Sequence, residues 1–272
     1  MTRVLGLATC FNRKDKTIKA LKNLICGNPN IEFEFIVVDD GSTDGTKEAL
    51  SEIAEVQMIS GDGNLYYSGG MRVAIKAAKE YSDKFDYCLL FNDDVEFVDA
   101  AIEELCEKDK SVIWVGPTCE KDGSLSYGGV IKISKWRPKT AIVMAEEPDG
   151  KSCDTFNANC VLIPWDIFTN LDNIDSKYTH SIGDFDYGFE AKKKGYVIKV
   201  ADKYVGECPD NPVNSSSNWR NVELSRKRRV QLKESPKGLT FGEYFHYLNK
   251  QYNVLTAVVY SLIPYMRILL KK

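Results

Sequence analysis

The order of apolar and polar residues divides the chain into a regular first part and an irregular second part. Val4 to Thr9 is an apolar run of strand length, followed by the turn Cys10-Phe11-Asn12-Arg13 and a stretch with Ile18, Leu21, Leu24 and Ile25 at helical spacing. Phe33 to Asp39 and Val56 to Ser60 predict two more strands, separated by a helix that buries Ala49, Leu50, Ile53 and Ala54. Between Met71 and Tyr81, the residues Val73, Ala74, Ala77, Ala78 and Tyr81 predict a helix packed closely on a sheet. Tyr87 to Phe91 is a fourth strand, a helix follows from about Asp99 to Glu107, and Val112 to Val115 is a fifth strand. Strands and helices alternating through short links predict an α/β fold with a mostly parallel, twisted sheet flanked by helices.

From Pro117 to Thr155 the rhythm changes to short runs broken by Asp122-Gly123, Gly128-Gly129 and Pro148-Asp149-Gly150, which predicts a small antiparallel element. Cys160 to Pro164 reads as one more buried strand, followed by a short helix with Ile167, Phe168 and Leu171. Gly183 to Tyr196 reads as a helix opened by Asp184 and Asp186, closed by lysines and stopped by Gly195, which suits the helix dipole at both ends. Beyond about residue 205 the alternation ends, and Asn211 to Asn218 reads as a polar linker. The expected division is a domain over 1–205 and a helical C-terminal extension over 206–272.

Composition narrows the picture. A chain of 272 residues, 43% hydrophobic and 28% charged, has material for a substantial core. A formal net charge of -3 argues against a general nucleic-acid binder, whose affinity rests on basic surface. The first residues enter a strand-like run with no signal-peptide pattern, so a cytoplasmic location is expected. The eight cysteines show no Cys-x-x-Cys pair and no zinc spacing, and in that compartment they are expected to be reduced.

Two stretches carry candidate chemistry. Leu89 to Phe97 is an apolar run that ends in Asn92-Asp93-Asp94, and in an open α/β sheet the carboxyl ends of strands face a ligand crevice. Adjacent acids repel unless a positive group lies near them, and a divalent cation that also holds nucleotide phosphates fills that need. A solvated acidic turn before a helix capped at Asp99 accounts for the same residues. Gly61 to Gly70 sets aromatic residues between glycines, which suits either close approach of backbone to a ligand or a mobile connection.

Four segments together, Thr9-Cys10-Phe11-Asn12-Arg13, Val37 to Asp44, Asn92-Asp93-Asp94 and Gly183-Asp184-Phe185-Asp186, resemble the family-2 glycosyltransferases of the GT-A fold, in their order and at similar intervals. The segment Gly63 to Met71 is similar to the rhamnosyltransferase-like branch. The resemblance implies transfer of a sugar, rhamnose or another hexose, from a dTDP- or UDP-linked donor to an acceptor hydroxyl, with inversion and with Mn²⁺ or Mg²⁺. It implies that Phe11 stacks on the nucleotide base and that Asp40 accepts from a base N–H. Asp93 then contacts the ribose, Asp94 holds the metal, and Asp184 is the general base. Thr9, Arg13, Gly70, Arg72 and Asn92 complete the expected donor site.

The chain departs from the family at three places. Asn92 replaces the first acid of the Asp-x-Asp metal motif, Glu190 replaces a commonly basic residue, and Glu207-Cys208 stands where many members carry a metal-binding histidine. Of the two histidines, His180 and His246, the first is expected to be structural.

Near the C-terminus, Ser225-Arg226-Lys227-Arg228-Arg229 is a dense basic cluster, and Val254 to Leu270 is apolar but shorter than the roughly 20 residues that cross a bilayer. A helix in the membrane interface fits this pattern, as does a helix packed on the core or on a second subunit of a homodimer. The first option suits a glycan or polyprenyl-diphosphate-linked acceptor at the inner face of the plasma membrane, in cell-surface polysaccharide synthesis. Two rivals remain. A sugar-1-phosphate nucleotidyltransferase is expected to carry a Gly-x-Gly-x-Arg loop where this chain has Cys10-Phe11-Asn12-Arg13. A catalytically silent glycan-binding module has no need of acids at 40, 93, 94 and 184.

Overall fold

The computed structural model describes residues 1–81, 85–209 and 216–271, so most of the expected linker, residues 211–215, lies outside the described residues. The chain opens with strand β1 (Thr2–Cys10), helix α1 (Lys14–Gly27), strand β2 (Ile31–Asp39), helix α2 (Thr46–Ser51), strand β3 (Val56–Ser60), helix α3 (Tyr66–Ala78) and strand β4 (Tyr87–Phe91). Strand β1 pairs in parallel with β2 and β4, and β2 pairs in parallel with β3. Every residue of β4 is buried, because helices cover both faces of this part of the sheet. Leu21 and Leu24 of α1 join the core cluster on one face, and Met71, Ala74 and Ile75 of α3 join the cluster on the other.

Two early expectations are revised. Helix α2 ends at Ser51, so it buries Leu50 while Ala54 is exposed. The loop expected across Gly61 to Gly70 gives way to helix at Tyr66. Asp40 accepts the backbone N–H groups of Gly63, Leu65 and Tyr66, supplying acceptors that a helix start lacks. Gly70 lets that helix lie against β1, since a methyl group there would collide with the Thr9 hydroxyl.

The second half contributes strands β5 (Glu96–Phe97), β6 (Val112–Val115), β7 (Thr118–Cys119), β8 (Leu125–Tyr127), β9 (Gly129–Lys132), β10 (Thr140–Val143), β11 (Lys151–Ser152), β12 (Thr155–Phe156), β13 (Cys160–Pro164), β14 (Val197–Val200) and β15 (Gly206–Glu207). Helix α4 (Ala101–Cys106) lies between β5 and β6, and helices α5 (Trp165–Asn170) and α6 (Gly183–Lys193) lie between β13 and β14. The main sheet has the order β11-β14-β6-β13-β4-β1-β2-β3. Only β13, inserted between β6 and β4, and the edge strand β11 run against the other strands. Two small sheets, β10-β9-β12 and β5-β15-β7-β8, form the mainly antiparallel element. Strand β15 follows residue 205 yet pairs with β5 and β7, so this sheet includes the first residues of the expected extension.

Helices α7 (Arg226–Lys233), α8 (Phe241–Gln251) and α9 (Val254–Leu269) end the chain. A capping box between Thr240 and Glu243 starts α8. Tyr247 and Leu248 of α8 and Ala257 of α9 belong to the same core cluster as α3. None of the helices among the described residues is long and apolar enough to cross a membrane. All eight cysteines are free.

Candidate active site

The carboxyl ends of β1, β2 and β4 meet at one edge. After β1, Phe11 is half exposed, with its ring free of the core. Asn12 takes a left-handed backbone conformation, φ 51°, which asparagine tolerates better than most residues. Its N–H donates to Ser42 Oγ at 2.8 Å, and its Oδ1 accepts the Thr43 N–H at 2.8 Å. The turns after β1 and β2 are thereby tied together. The Thr9 hydroxyl donates to the Val38 carbonyl across the same pair of strands.

Arg13 caps the turn into α1 and reaches the acids after β4. One of its Nη atoms lies 3.2 Å from Asp93 Oδ1 and 2.7 Å from Asp94 Oδ2. The Thr17 hydroxyl donates to the other Asp93 oxygen at 3.1 Å. Asp93 is 4% exposed, and burial pushes its carboxyl up to about 6 despite Arg13. Asp94 is more open, and the thiol of the buried Cys208 lies 3.8 Å from its Oδ1. Burial and then Asp94 push that thiol up to about 12, so it remains protonated beside the carboxylate.

The local donor set suits a hard cation sparingly. Among the described residues there is no group of three or more His, Cys, Asp or Glu able to hold a metal. One carboxylate, that of Asp94, fits a cation that takes its remaining oxygens from a diphosphate and water, as Mg²⁺ and Mn²⁺ do in phosphate sites. A site built wholly from protein ligands does not fit these residues.

Asp184 lies in the first turn of α6, after Ile182, whose left-handed backbone starts the helix. Its Oδ2 accepts the Ala158 N–H at 3.1 Å and its Oδ1 the Phe185 N–H at 2.8 Å. No cation pairs with it among the described residues, and burial raises its pKa. The half-buried Tyr67 lies close enough for Asp184 to add to the upward shift that desolvation gives its phenol. Asp186, two residues further on, differs in its partners. It is 2% exposed and receives Lys250 Nζ and Gln251 Nε2, each at 2.7 Å.

The segment before β13 joins the two halves. Ala158 holds Asp184, and the next residue, Asn159, accepts the Asn92 N–H at 3.1 Å and donates to Cys208 Sγ. On the other side, the loop before α6 is pinned to α3: the Ser68 N–H donates to Thr179 O, the Ser68 hydroxyl to His180 O, and the Tyr67 N–H to His180 Nδ1. Burial, with Lys237 and Arg13 nearby, drops His180 to about 4, so its imidazole is neutral at pH 7.

The expected site residues thus fall into two sets. Phe11, Arg13, Asn92, Asp93 and Asp94 converge after β1 and β4, and Asp184 is linked to them through Ala158 and Asn159. Asp40, Gly70 and Arg72 are engaged elsewhere. Asp40 is 4% exposed and satisfied by three backbone N–H groups, Gly70 packs on Thr9, and Arg72 donates to the carbonyls of Tyr178 and Asp175. Each holds a loop that bounds the site. Thr17 and the pairing of Cys208 with Asp94 were missed in the sequence, whereas Tyr67 lies in the candidate segment Gly61 to Gly70. The spacing of Arg13 and Thr17, one helical turn apart at the start of α1, was the one available signal for Thr17.

A large, mostly parallel sheet flanked by helices, with small antiparallel sheets beside it and helices at the C-terminus, is the architecture of the GT-A fold of glycosyltransferases. Residues 8–158 match the model of "Glycosyl transferase family 2", and the chain belongs to that family. A mannosyltransferase from Pyrobaculum calidifontis, solved with GDP-Man and Mn²⁺, is similar in structure at a TM-score of 0.59 and 13% identity, over 99% of this chain and 73% of that one. GalNAc-T7, solved with UDP, GalNAc and Mn²⁺, is similar at a TM-score of 0.56 and 11% identity, over 93% of this chain and 59% of that one. At those identities the likeness is one of fold. No curated protein sequence matches the chain.

Proposed function

We propose that this chain moves rhamnose or another hexose, with inversion, from a dTDP- or UDP-linked donor to a hydroxyl of a glycan or polyprenyl-diphosphate-linked acceptor. The setting is cell-surface polysaccharide synthesis at the inner face of the plasma membrane. The observation that carries the reading is Asp184: a desolvated carboxylate that, among the described residues, has N–H donors and no cation, beside Tyr67 and linked through Ala158 and Asn159 to Asn92, the residue before the donor acids.

In this reading the exposed Phe11 ring stacks on the base and Asp93 accepts from the ribose hydroxyls. Thr9, Asp40, Gly70 and Arg72 act through the backbone they hold. A divalent cation bound with the donor supplies positive charge against the leaving diphosphate, and Asp94, with Asn92 beside it, would hold it. Arg13 spans both acids, and a donor diphosphate would compete for its guanidinium. The acceptor oxygen attacks the anomeric carbon while Asp184 takes its proton. The bond from that carbon to the β-phosphate oxygen breaks, and the nucleoside diphosphate leaves from the opposite face. Burial raises Asp184 above an ordinary aspartate, which strengthens it as a base.

The test is a thermal-stability screen of the protein against UDP-, dTDP-, GDP- and CDP-sugars with Mn²⁺, Mg²⁺ or EDTA, followed by NMR of the product's anomeric centre. Metal-dependent stabilisation by dTDP- or UDP-sugars and an inverted product support the proposal. Retention at the anomeric carbon overturns the mechanism, release of pyrophosphate from a nucleoside triphosphate favours the nucleotidyltransferase, and no response to any nucleotide favours the silent module.

A further inference from the structure

Helix α9 is apolar on two faces. One face, with Ala257, Pro264 and Ile268, packs on the protein. The other presents Leu255, Val258, Val259, Leu262, Met266 and Leu269 to solvent, with Leu255 72% exposed and the others between 44% and 63%. These positions follow the i, i+3, i+4, i+7 spacing of a single stripe, so the exposure is one continuous ridge. A contiguous apolar ridge of this kind marks a contact surface.

A second element stands beside the start of this ridge. The connection between β9 and β10 carries Trp136, 78% exposed, and Ile133, 52% exposed. The Thr256 hydroxyl in the first turn of α9 donates to the Trp136 carbonyl, which fixes the hairpin tip against the helix. Helix α7, with Arg226, Lys227 and Arg228 exposed, packs against α9 as well.

Charge identifies the occupant. Segments 124–145, 225–233 and 254–272, which supply these three elements, hold twelve lysines and arginines and no aspartate or glutamate. The whole chain has 39 acidic residues to 36 basic ones, and although Arg229 and Lys233 are buried and Glu234 at the end of α7 accepts from Tyr265 of α9, eight of these twelve cations are exposed. Lys135, Arg137 and Lys139 are exposed around Trp136, and Arg267 and Lys271 near the far end of the ridge. A second copy of this chain would bring equal positive charge against the same positive charge. An anionic lipid leaflet meets both demands: acyl chains for the ridge and headgroups for the flanking cations.

We infer that α9 and the 133–139 hairpin tip form one membrane-docking surface for anionic lipid, with α9 lying in the plane of the interface and Trp136 inserted beside it. The inference deepens the proposed function by naming the surface that brings the enzyme to a lipid-linked acceptor. It stands on exposure and charge alone, without donor or acceptor.

The experiment is co-sedimentation of the full chain with vesicles of phosphatidylglycerol and phosphatidylcholine, beside vesicles of phosphatidylcholine alone, at low and high salt. Expected are binding to the anionic vesicles, weakening as salt rises, and at least a tenfold fall in partitioning for Leu255→Ser with Leu262→Ser and for Trp136→Ser. Arg137→Glu with Lys139→Glu lowers binding while leaving the ridge intact. All these side chains are exposed, and unchanged thermal stability of the variants confirms folding. Failure to bind anionic vesicles overturns the inference. So does a stable dimer in sedimentation velocity that the Leu255→Ser, Leu262→Ser variant dissociates. Either result leaves the glycosyltransferase reading intact, because no step of the assay uses turnover.

Discussion

Asp93 and Asp184 are both carboxylates whose burial raises their pKa, and they are answered differently. Asp93 faces the Arg13 guanidinium and the Thr17 hydroxyl. Among the described residues, Asp184 has two backbone N–H groups and no cation. In the proposed reading Asp93, paired with a cation, serves binding, while Asp184, raised by burial against the downward pull of its N–H partners, takes the proton. Asp186 completes the contrast: Lys250 and Gln251 saturate it, so although it is a near neighbour on the same helix it holds α6 to α8.

The largest effect that sharpens this contrast is in turnover. Asp184→Asn should lower kcat by roughly 10²–10⁴-fold, the usual contribution of a general base, while nucleotide affinity measured by calorimetry stays unchanged. A matched loss of both would erase the distinction between the two acids. Next in size is the acid that holds the start of α3. Asp40→Ala strips acceptors from Gly63, Leu65 and Tyr66, and at about 1–3 kcal/mol for an orphaned buried donor it should lower Tm clearly, read by calorimetric melting.

Smaller effects probe the donor side. Asp94→Asn should weaken Mn²⁺-dependent nucleotide binding by about tenfold or more, about 1.4 kcal/mol, with metal-free binding little changed. Arg13→Gln should strengthen Mn²⁺ binding in the absence of nucleotide by about two- to fivefold, since the pair it breaks is partly exposed, and weaken nucleotide binding; Mn²⁺ spin resonance reads the first. Nucleotide affinity in the wild type should fall as pH drops through about 6, where Asp93 takes up a proton and ceases to be a charged acceptor.

Much of the fold was legible because β1, β2 and β4 are buried and their apolar runs are nearly continuous. Strand β14 was not: Lys199 interrupts its apolar run, and its pairing with β6 comes from chain 85 residues away. Two-residue strands such as β5, β7 and β15 have no periodicity to read, and exist only because partners distant in sequence supply their hydrogen bonds. In the site, Phe11, Asp93 and Asp94 follow β1 and β4 and Asp184 lies in the first turn of α6, positions that the strand and helix patterns made legible. The uses of Asp40 and Arg72 were hidden, because a side chain that answers a backbone N–H or carbonyl in a distant loop leaves no mark in its own sequence neighbourhood. The second apolar face of α9 was visible in composition, but its exposure depended on how α7 and α8 pack.

The most direct measurement is the pH dependence of kcat at saturating donor and acceptor, in the wild type and in Arg13→Gln. Because burial raises Asp184, the account predicts one acid limb, with activity lost as pH falls through a pKa above the ordinary aspartate value of about 3.9, and with that limb unmoved by Arg13→Gln. A rate that stays flat down to about pH 4, or a limb that shifts when Arg13 is removed, would assign the titrating group elsewhere and contradict the separation of base from donor acids.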